Sequence, residues 1–252
     1  MRLDRELVNR GLVASRMEAQ RLIAESRVSV DGQIAPRASL LVEPTQQIAI
    51  APTDSESYVS RGGLKLAAAL DRFGIDVAEQ ICLDLGASTG GFTDCLLKRA
   101  AAHVTAIDVG HGQMAAALLG DARIDHREGV NARYLTPIDF PGRAFGLVVG
   151  DLSFISLTLV LPAIAGLLSP GGQAVLLVKP QFEVGQSGLG KGGIVRNAVL
   201  REQALQNVLE HASRVGLQEV HRMESPITGT DGNMEYLIHL RRQEHALPAE
   251  NS

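Results

Sequence analysis

The sequence predicts an open α/β sheet of seven strands, mostly parallel, preceded by a small α+β module. Three observations lead there. From residue 59 to 240, apolar runs of strand length alternate with stretches of helical period, the pattern of βαβ units. One run, Ile81-Cys82-Leu83, leads through Asp84 into the small-residue turn Gly86-Ala87-Ser88-Thr89-Gly90-Gly91, after which Phe92, Leu96 and Leu97 recur at helical spacing. Residues 1–52 behave differently, with a helical period that gives way to a period of two.

In the first module, Leu3, Leu7 and Val8 fit one helix face, and Gly11 ends that helix. Ser15 is an N-cap for a second helix whose stripe is Ala19, Leu22 and Ile23. Val28 and Val30 then alternate, Asp31-Gly32 is a type I′ hairpin signal, and Ile34 resumes the strand. Ile48 and Ile50 give a last strand. The module carries seven arginines, six acids and no lysine. Arginine is the better residue for bidentate phosphate contacts and for stacking. A mixed, solvated helix surface would show the same charges. Residues 53–58 read as a linker, 59–242 as the second domain and 243–252 as a disordered tail.

The second domain opens with the loop Ser60-Arg61-Gly62-Gly63 and a helix from Leu64 to Phe73 that buries Leu66, Leu70 and Phe73. Lys65 lies off that stripe, and alone it would read as a solvated lysine. After the glycine turn, Val104–Ile107 is a strand ending at Asp108, 24 residues beyond Asp84, the span of one strand–helix–strand unit. Ile124–Arg127 is a third strand and leads to Gly129-Val130-Asn131. Phe145–Val149 is a fourth, with Asp151 past its end. Leu157–Leu168 reads as a helix, Pro170-Gly171-Gly172 as a turn, and Ala174–Val178 as a fifth strand closed by Lys179. Asn197–Val215 is an amphipathic helix, Gln218–Met223 a strand, and Met234–Leu240 the last strand, with Glu235 near its start.

Composition narrows the classes. A chain of 252 residues with 45% hydrophobic residues buries a full core. The net charge of −4 gives no global attraction for nucleic acid, so any such surface is local. Cys82 and Cys95 lack CxxC spacing and read as reduced core residues of a cytoplasmic protein. The histidines show no ligand spacing, so no metal site is read. No signal segment and no membrane span is visible.

The glycine turn departs from the dinucleotide pattern, because Ser88 stands where the second glycine belongs. Asp84 would repel a pyrophosphate. It would accept a methionine moiety bearing an ammonium and a sulfonium, which favours S-adenosylmethionine (SAM). A tight turn in any α/β domain is the plainer reading of the glycines alone. Ligands of open α/β sheets bind outside the carboxyl ends of the strands, so Asp84, Asp108 and Asp151 are expected to face one crevice. Asp108 is placed for the cofactor ribose or, equally, for a helix cap. Asn131 lies on a turn that could sit against adenine. Lys179, at the end of a buried strand, needs a partner, and Asp151 is the candidate. Gly185–Gly193 nearly matches a P-loop, but Gly192 replaces the hydroxyl residue; a lid or a plain flexible loop fits better.

Two resemblances sharpen this reading. RLDRELVNRGLVASRMEAQRLIAESRVSVDG resembles the S4 RNA-binding module, with Ser26 where that module usually has glycine. The resemblance implies binding to structured RNA, with Arg2, Arg5, Arg16, Arg21 and Arg27 as candidate contacts. SRGGLKL, DLGASTGGFTDCLL, DVGHGQ, DLSFIS, LVKPQFEVG and GNMEYL resemble the FtsJ-like RNA 2′-O-methyltransferases and, with the S4 module in front, the TlyA family, also called haemolysin A. That family implies a Rossmann-like SAM-dependent methyltransferase sheet acting on a cytidine ribose of ribosomal RNA in ribosomal subunits. Lys65, Asp151, Lys179 and Glu235 fall on its catalytic tetrad. Gly86, Ser88, Thr89, Gly90, Gly91, Phe92 and Asp108 fall on the cofactor loop and its ribose acid. A non-catalytic ribosome-assembly factor and a membrane-active haemolysin are the competing classes.

Overall fold

The computed structural model describes residues 1–13, 15–24, 27–50, 58–229 and 231–243. Most of the expected linker, the expected tail from residue 244 and the departure at Ser26 lie outside these residues. The chain forms two compact units, Met1–Ser57 and Tyr58–Ser252.

In the first unit, helix α1 (Leu3–Asn9) and helix α2 (Arg16–Ala24) precede a three-stranded antiparallel sheet. Its order is β2 (Gln33–Ile34), β1 (Val28–Val30), β3 (Ile48–Ile50). The Ser15 hydroxyl accepts from Glu18 N at 3.2 Å, as its place before α2 leads one to expect. Asp31 and Gly32 both have positive φ, the type I′ geometry that suits the twist of a hairpin. Leu3, Leu7, Ala19, Leu22 and Val28 close the core.

The second unit carries a seven-stranded sheet. Helix α3 (Gly62–Phe73) leads into β4 (Ile81–Leu85), α4 (Gly91–Lys98), β5 (His103–Ile107), β6 (Ile124–Arg127) and β7 (Phe145–Gly150). Helix α5 (Leu161–Leu167), β8 (Leu168–Val178), α6 (Pro180–Glu183), α7 (Ala198–Arg214), β9 (Leu217–Glu224) and β10 (Tyr236–Arg242) complete it. The strand order is β6-β5-β4-β7-β8-β10-β9. The first five strands are parallel, and β10 is antiparallel to both β8 and β9. Adjacent residues of the central strands feed opposite cores: Leu83 and Val148 join one, Cys82 and Val149 the other. A sheet covered on both faces needs such continuous apolar runs.

Three expectations are corrected. The helix predicted over Leu157–Leu168 is a short 3-10 turn (Leu157–Leu159) followed by α5, which begins around Pro162. A proline in the first helical turn gives up no intrahelical hydrogen bond, so the helix starts there. Pro170-Gly171-Gly172 is not a free turn. It is absorbed as an irregularity in β8, whose pairing with β7 jumps from Phe145–Leu168 to Leu147–Gln173. Glu235 sits one residue ahead of β10, not inside it.

Candidate active site

The strand order reverses between β4 and β7, and a crevice opens there beyond their carboxyl ends. The loops that leave the two strands touch. Gly86 follows β4 with φ +79°, and a Cβ on it would stand 2.8 Å from the Asp151 carbonyl oxygen. Only glycine meets both conditions. Gly91 is constrained by contact alone, since a Cβ there would come within 2.2 Å of Ser60 Oγ.

Ser88, in the same turn, has φ +46°, a conformation that costs a non-glycine residue energy. Asp108, just past β5, holds it there. Its Oδ2 accepts from Ser88 N at 2.8 Å, and its Oδ1 accepts from Gly110 N at 2.7 Å. Each oxygen keeps a second lone pair. Asp108 lines a cavity of about 800 Å³ together with Gly86, Ser88, Asn131, Asp151 and Phe154. Asn131 accepts from Arg133 N at 3.0 Å and so caps a short turn on the cavity wall.

A smaller cavity of about 170 Å³ is bounded by Ser60, Thr89, Gly91, Phe92, Asp151 and Lys179. Gly86, Ser88, Asp151 and Ser153 border both cavities. Gly90 is buried behind the turn, and Phe92 packs into the core beneath it.

Asp84 corrects the expectation of three acids facing one crevice. It lies inside β4, is fully buried and lines neither cavity. Thr93 donates to its Oδ2 at 2.6 Å, while Oδ1 has no partner. Burial pushes its carboxyl up to about 7 against the pull of Thr93, and the charges of Asp151 and Asp108 add to the rise. Asp108 and Asp151 are the carboxyl groups that border the crevice itself.

Four polar side chains gather at the same edge. Lys65 Nζ, on the first turns of α3, donates to Glu235 Oε2 at 2.6 Å, and both are buried. Lys179 Nζ, directly after β8, makes an ion pair with Asp151 Oδ1 at 2.6 Å. Tyr236 pairs with Val178 across β10 and β8, so Glu235 and Lys179 sit at matching strand ends. The solvated reading of Lys65 therefore fails, because a partner far along the chain is brought to it by the fold.

Some residues escaped the sequence reading. Asn233 is buried, accepts from Val195 N at 3.0 Å and donates to Gly193 O at 3.1 Å. It ties the end of the glycine-rich segment to the residues before Glu235. Ser153 Oγ accepts from Lys179 Nζ at 2.8 Å. Phe154 is 92% exposed with φ +62°, and its ring leans on Phe182 at 5.3 Å. None of these signals is periodic, and only the exposed aromatic in a polar run could have been flagged.

In the first unit, Arg2 and Arg16 both reach the buried Asp4, at 3.1 and 2.9 Å, and Gln20 joins them at 3.1 Å. The Arg2 hydrogen bonds hold the Asp4 carboxyl well below the usual carboxylate range. Arg5 is exposed and Arg27 half-buried, while the Arg21 side chain lies outside the described residues. Arg10 is structural: it bonds Glu6 and the carbonyls of Glu43, Pro44 and Gln46.

The cavity has a volume typical of small-molecule sites. Its lining fits an adenosyl group, with Asp108 able to accept from ribose hydroxyls. A sheet of this order with that crevice defines the SAM-dependent methyltransferases, and SAM is the methyl donor of the class. The chain belongs to the FtsJ-like methyltransferase family, whose model matches residues 58–242, and within it to the TlyA group; an S4 domain model matches residues 1–48. It is 47% identical over 250 residues to a 16S/23S rRNA (cytidine-2′-O)-methyltransferase TlyA of Mycobacterium tuberculosis, which covers 99% of this chain and 93% of that protein. It is 42% identical over 239 residues to Hemolysin A of Brachyspira hyodysenteriae, covering 95% and 99%. A solved hemolysin structure from Streptococcus thermophilus matches with a TM-score of 0.73 at 39% identity, over 97% of this chain and 89% of that one.

Proposed function

We propose that the protein methylates the 2′-oxygen of a cytidine ribose in ribosomal RNA, with the large subunit as substrate and the small subunit as a second one. The observation that carries this reading is the Lys179–Asp151 ion pair at 2.6 Å, in which Asp151 borders both cavities and Lys179 the smaller one. The activity in the name of the Mycobacterium tuberculosis relative supports the choice of substrate.

A ribose hydroxyl is a weak nucleophile at neutral pH and must lose its proton as it attacks. Lys179 is the group that takes this proton at Nζ, and Asp151 draws the nitrogen to the place where it is needed. Bound SAM supplies an activated methyl on a sulfonium, which leaves as a thioether. Asp108 and the turn from Gly86 to Gly91 hold the cofactor, and Asn131 lines its wall. Lys65 and Glu235 border neither cavity; their buried ion pair stands at the strand ends beside Lys179 and braces the wall against which the ribose is held. Phe154 offers an exposed ring at the cavity mouth, suited to stack on an unpaired base. Much of the acceleration comes from alignment of the reacting atoms.

The first unit is the RNA-holding module, with Arg2, Arg5, Arg16, Arg21 and Arg27 as contacts. Work on ribosomal RNA sets the protein in the cytoplasm. The direct test is transfer of a labelled methyl from SAM to separated small and large subunits, isolated from cells lacking this protein. Label in the RNA establishes the reaction and names the subunit. No label on either, with SAM still bound by calorimetry, would favour a non-catalytic RNA-binding factor. A leakage assay on liposomes tests the activity implied by the name of the Brachyspira hyodysenteriae relative; among the described residues no helix is long and apolar enough to cross a membrane.

A further inference from the structure

The structure assigns Ser153 a role as the positioning residue that aims the Lys179 lone pair at the substrate oxygen. This rests on the reading of Lys179 as the base. An ammonium nitrogen donates in three directions beyond its carbon. Once it has lost a proton, it keeps two N–H groups and one lone pair, and the lone pair must point at the ribose hydroxyl. Rotation about Cε–Nζ decides where it points.

The two neighbours of Lys179 Nζ act differently. Asp151 Oδ1 lies 2.6 Å away, yet it is left without an aligned hydrogen bond, so the contact supplies charge and not direction. Ser153 Oγ, at 2.8 Å, accepts an aligned hydrogen bond from the same nitrogen. Coulomb attraction depends on distance, whereas a hydrogen bond weakens steeply when bent. Ser153 therefore fixes one N–H vector and with it the rotation about Cε–Nζ; of the two directions that remain, the second N–H takes the one nearer the Asp151 charge and the lone pair takes the other. Both Ser153 and Lys179 border the smaller cavity, where the remaining direction opens.

Ser153 is itself held firmly enough to serve. Before it, Asp151 N donates to Leu85 O at 3.0 Å and extends the ladder between β4 and β7. After it, Glu183 accepts from Ser156 Oγ at 2.5 Å and from Leu157 N at 2.9 Å. The loop is thus pinned on both sides of the serine by groups on β4 and α6. The Ser153 side chain is exposed to the crevice and its removal opens no core cavity.

The test uses the full-length chain and large ribosomal subunits that lack the modification, with Ser153→Ala, Ser153→Thr and Lys179→Ala compared. The expected result is a kcat for Ser153→Ala about tenfold or more below wild type, the scale of one charge-assisted hydrogen bond. KM for the subunit and SAM affinity should stay within about twofold, because Ser153 acts through Lys179 and not on the ground-state complex. Ser153→Thr keeps the hydroxyl and should recover most of the loss. A normal kcat in Ser153→Ala, beside an inactive Lys179→Ala, overturns this proposal and leaves the base standing. So does a rise in KM alone, which would make Ser153 a substrate contact, or a threonine variant as slow as alanine. An active Lys179→Ala removes the base itself, and this role falls with it.

Discussion

Lys65 and Glu235 stand 170 residues apart in the chain and meet at 2.6 Å in a buried ion pair. Removing one partner leaves a bare charge inside the protein, which costs about 3–5 kcal/mol. Glu235→Ala should lose that much stability in urea unfolding and lose methyl transfer as well. Glu235→Gln keeps an acceptor for Lys65 and should lose less stability. Equal losses in the two variants would show that the charge of Glu235, and not its shape or its hydrogen bond, holds the clamp.

Lys179→Ala removes the proposed base without touching the turn at Gly86. Turnover should fall by about 10²-fold or more. SAM affinity by calorimetry should stay near wild type. Near-normal turnover would sink the assignment.

Asp84 makes stability depend on pH in a defined direction. In the unfolded chain it ionises at its ordinary value of 3.8, whereas folding raises it to about 7. The folded state therefore binds the extra proton between those values, and the contribution of Asp84 is full below 3.8 and is lost as pH rises through 7. Asp84→Asn cannot titrate. Its stability relative to wild type should rise by about 2–3 kcal/mol from pH 5 to pH 8, measured as paired urea midpoints. A constant difference across that range would refute the raised carboxyl.

Phe154 holds a positive φ and exposes its ring, a combination that the fold alone does not reward. Phe154→Ala should weaken subunit binding by about 1–3 kcal/mol, the worth of one stacked base, while SAM affinity is retained. Unchanged KM and kcat would leave the ring without a part in recognition.

Asp4 organises Arg2, Arg16 and Gln20 in the first unit. Asp4→Asn should lower stability by about 1–2 kcal/mol, a modest figure because both arginines remain partly in water. It should also weaken RNA binding, since the two guanidinium groups lose their common anchor. Full RNA affinity in the variant would separate the cluster from recognition.

The strands and most helices were legible because their information is periodic. Ile81–Leu85, His103–Ile107 and Phe145–Gly150 are buried on both faces and read as largely apolar runs of strand length. Asp108, Asp151 and Lys179 were legible because each follows such a run directly. What failed depends on tertiary contact. Nothing local tells whether an acid inside a strand faces a ligand or, like Asp84, a threonine on the next helix. Lys65 carries no sign of Glu235. Ser153 and Phe154 depend on a loop conformation that neither composition nor spacing encodes. The segment from Leu157 to Gly172 misled because Pro162 opens one element and Gly171 bends another without ending it.

The last strand runs against its neighbours β8 and β9, so its beginning, not its end, arrives where β7 and β8 finish. Glu235 owes its place to that reversal. A slip of one residue in the pairing of Tyr236 with Val178 would turn every side chain of β10 to the other face. Glu235 would leave the edge, and Lys65 would be stranded. A mis-threaded molecule thus forfeits its chemistry and its stability in the same event, and it goes to the proteases before it can persist as a slow or misdirected enzyme.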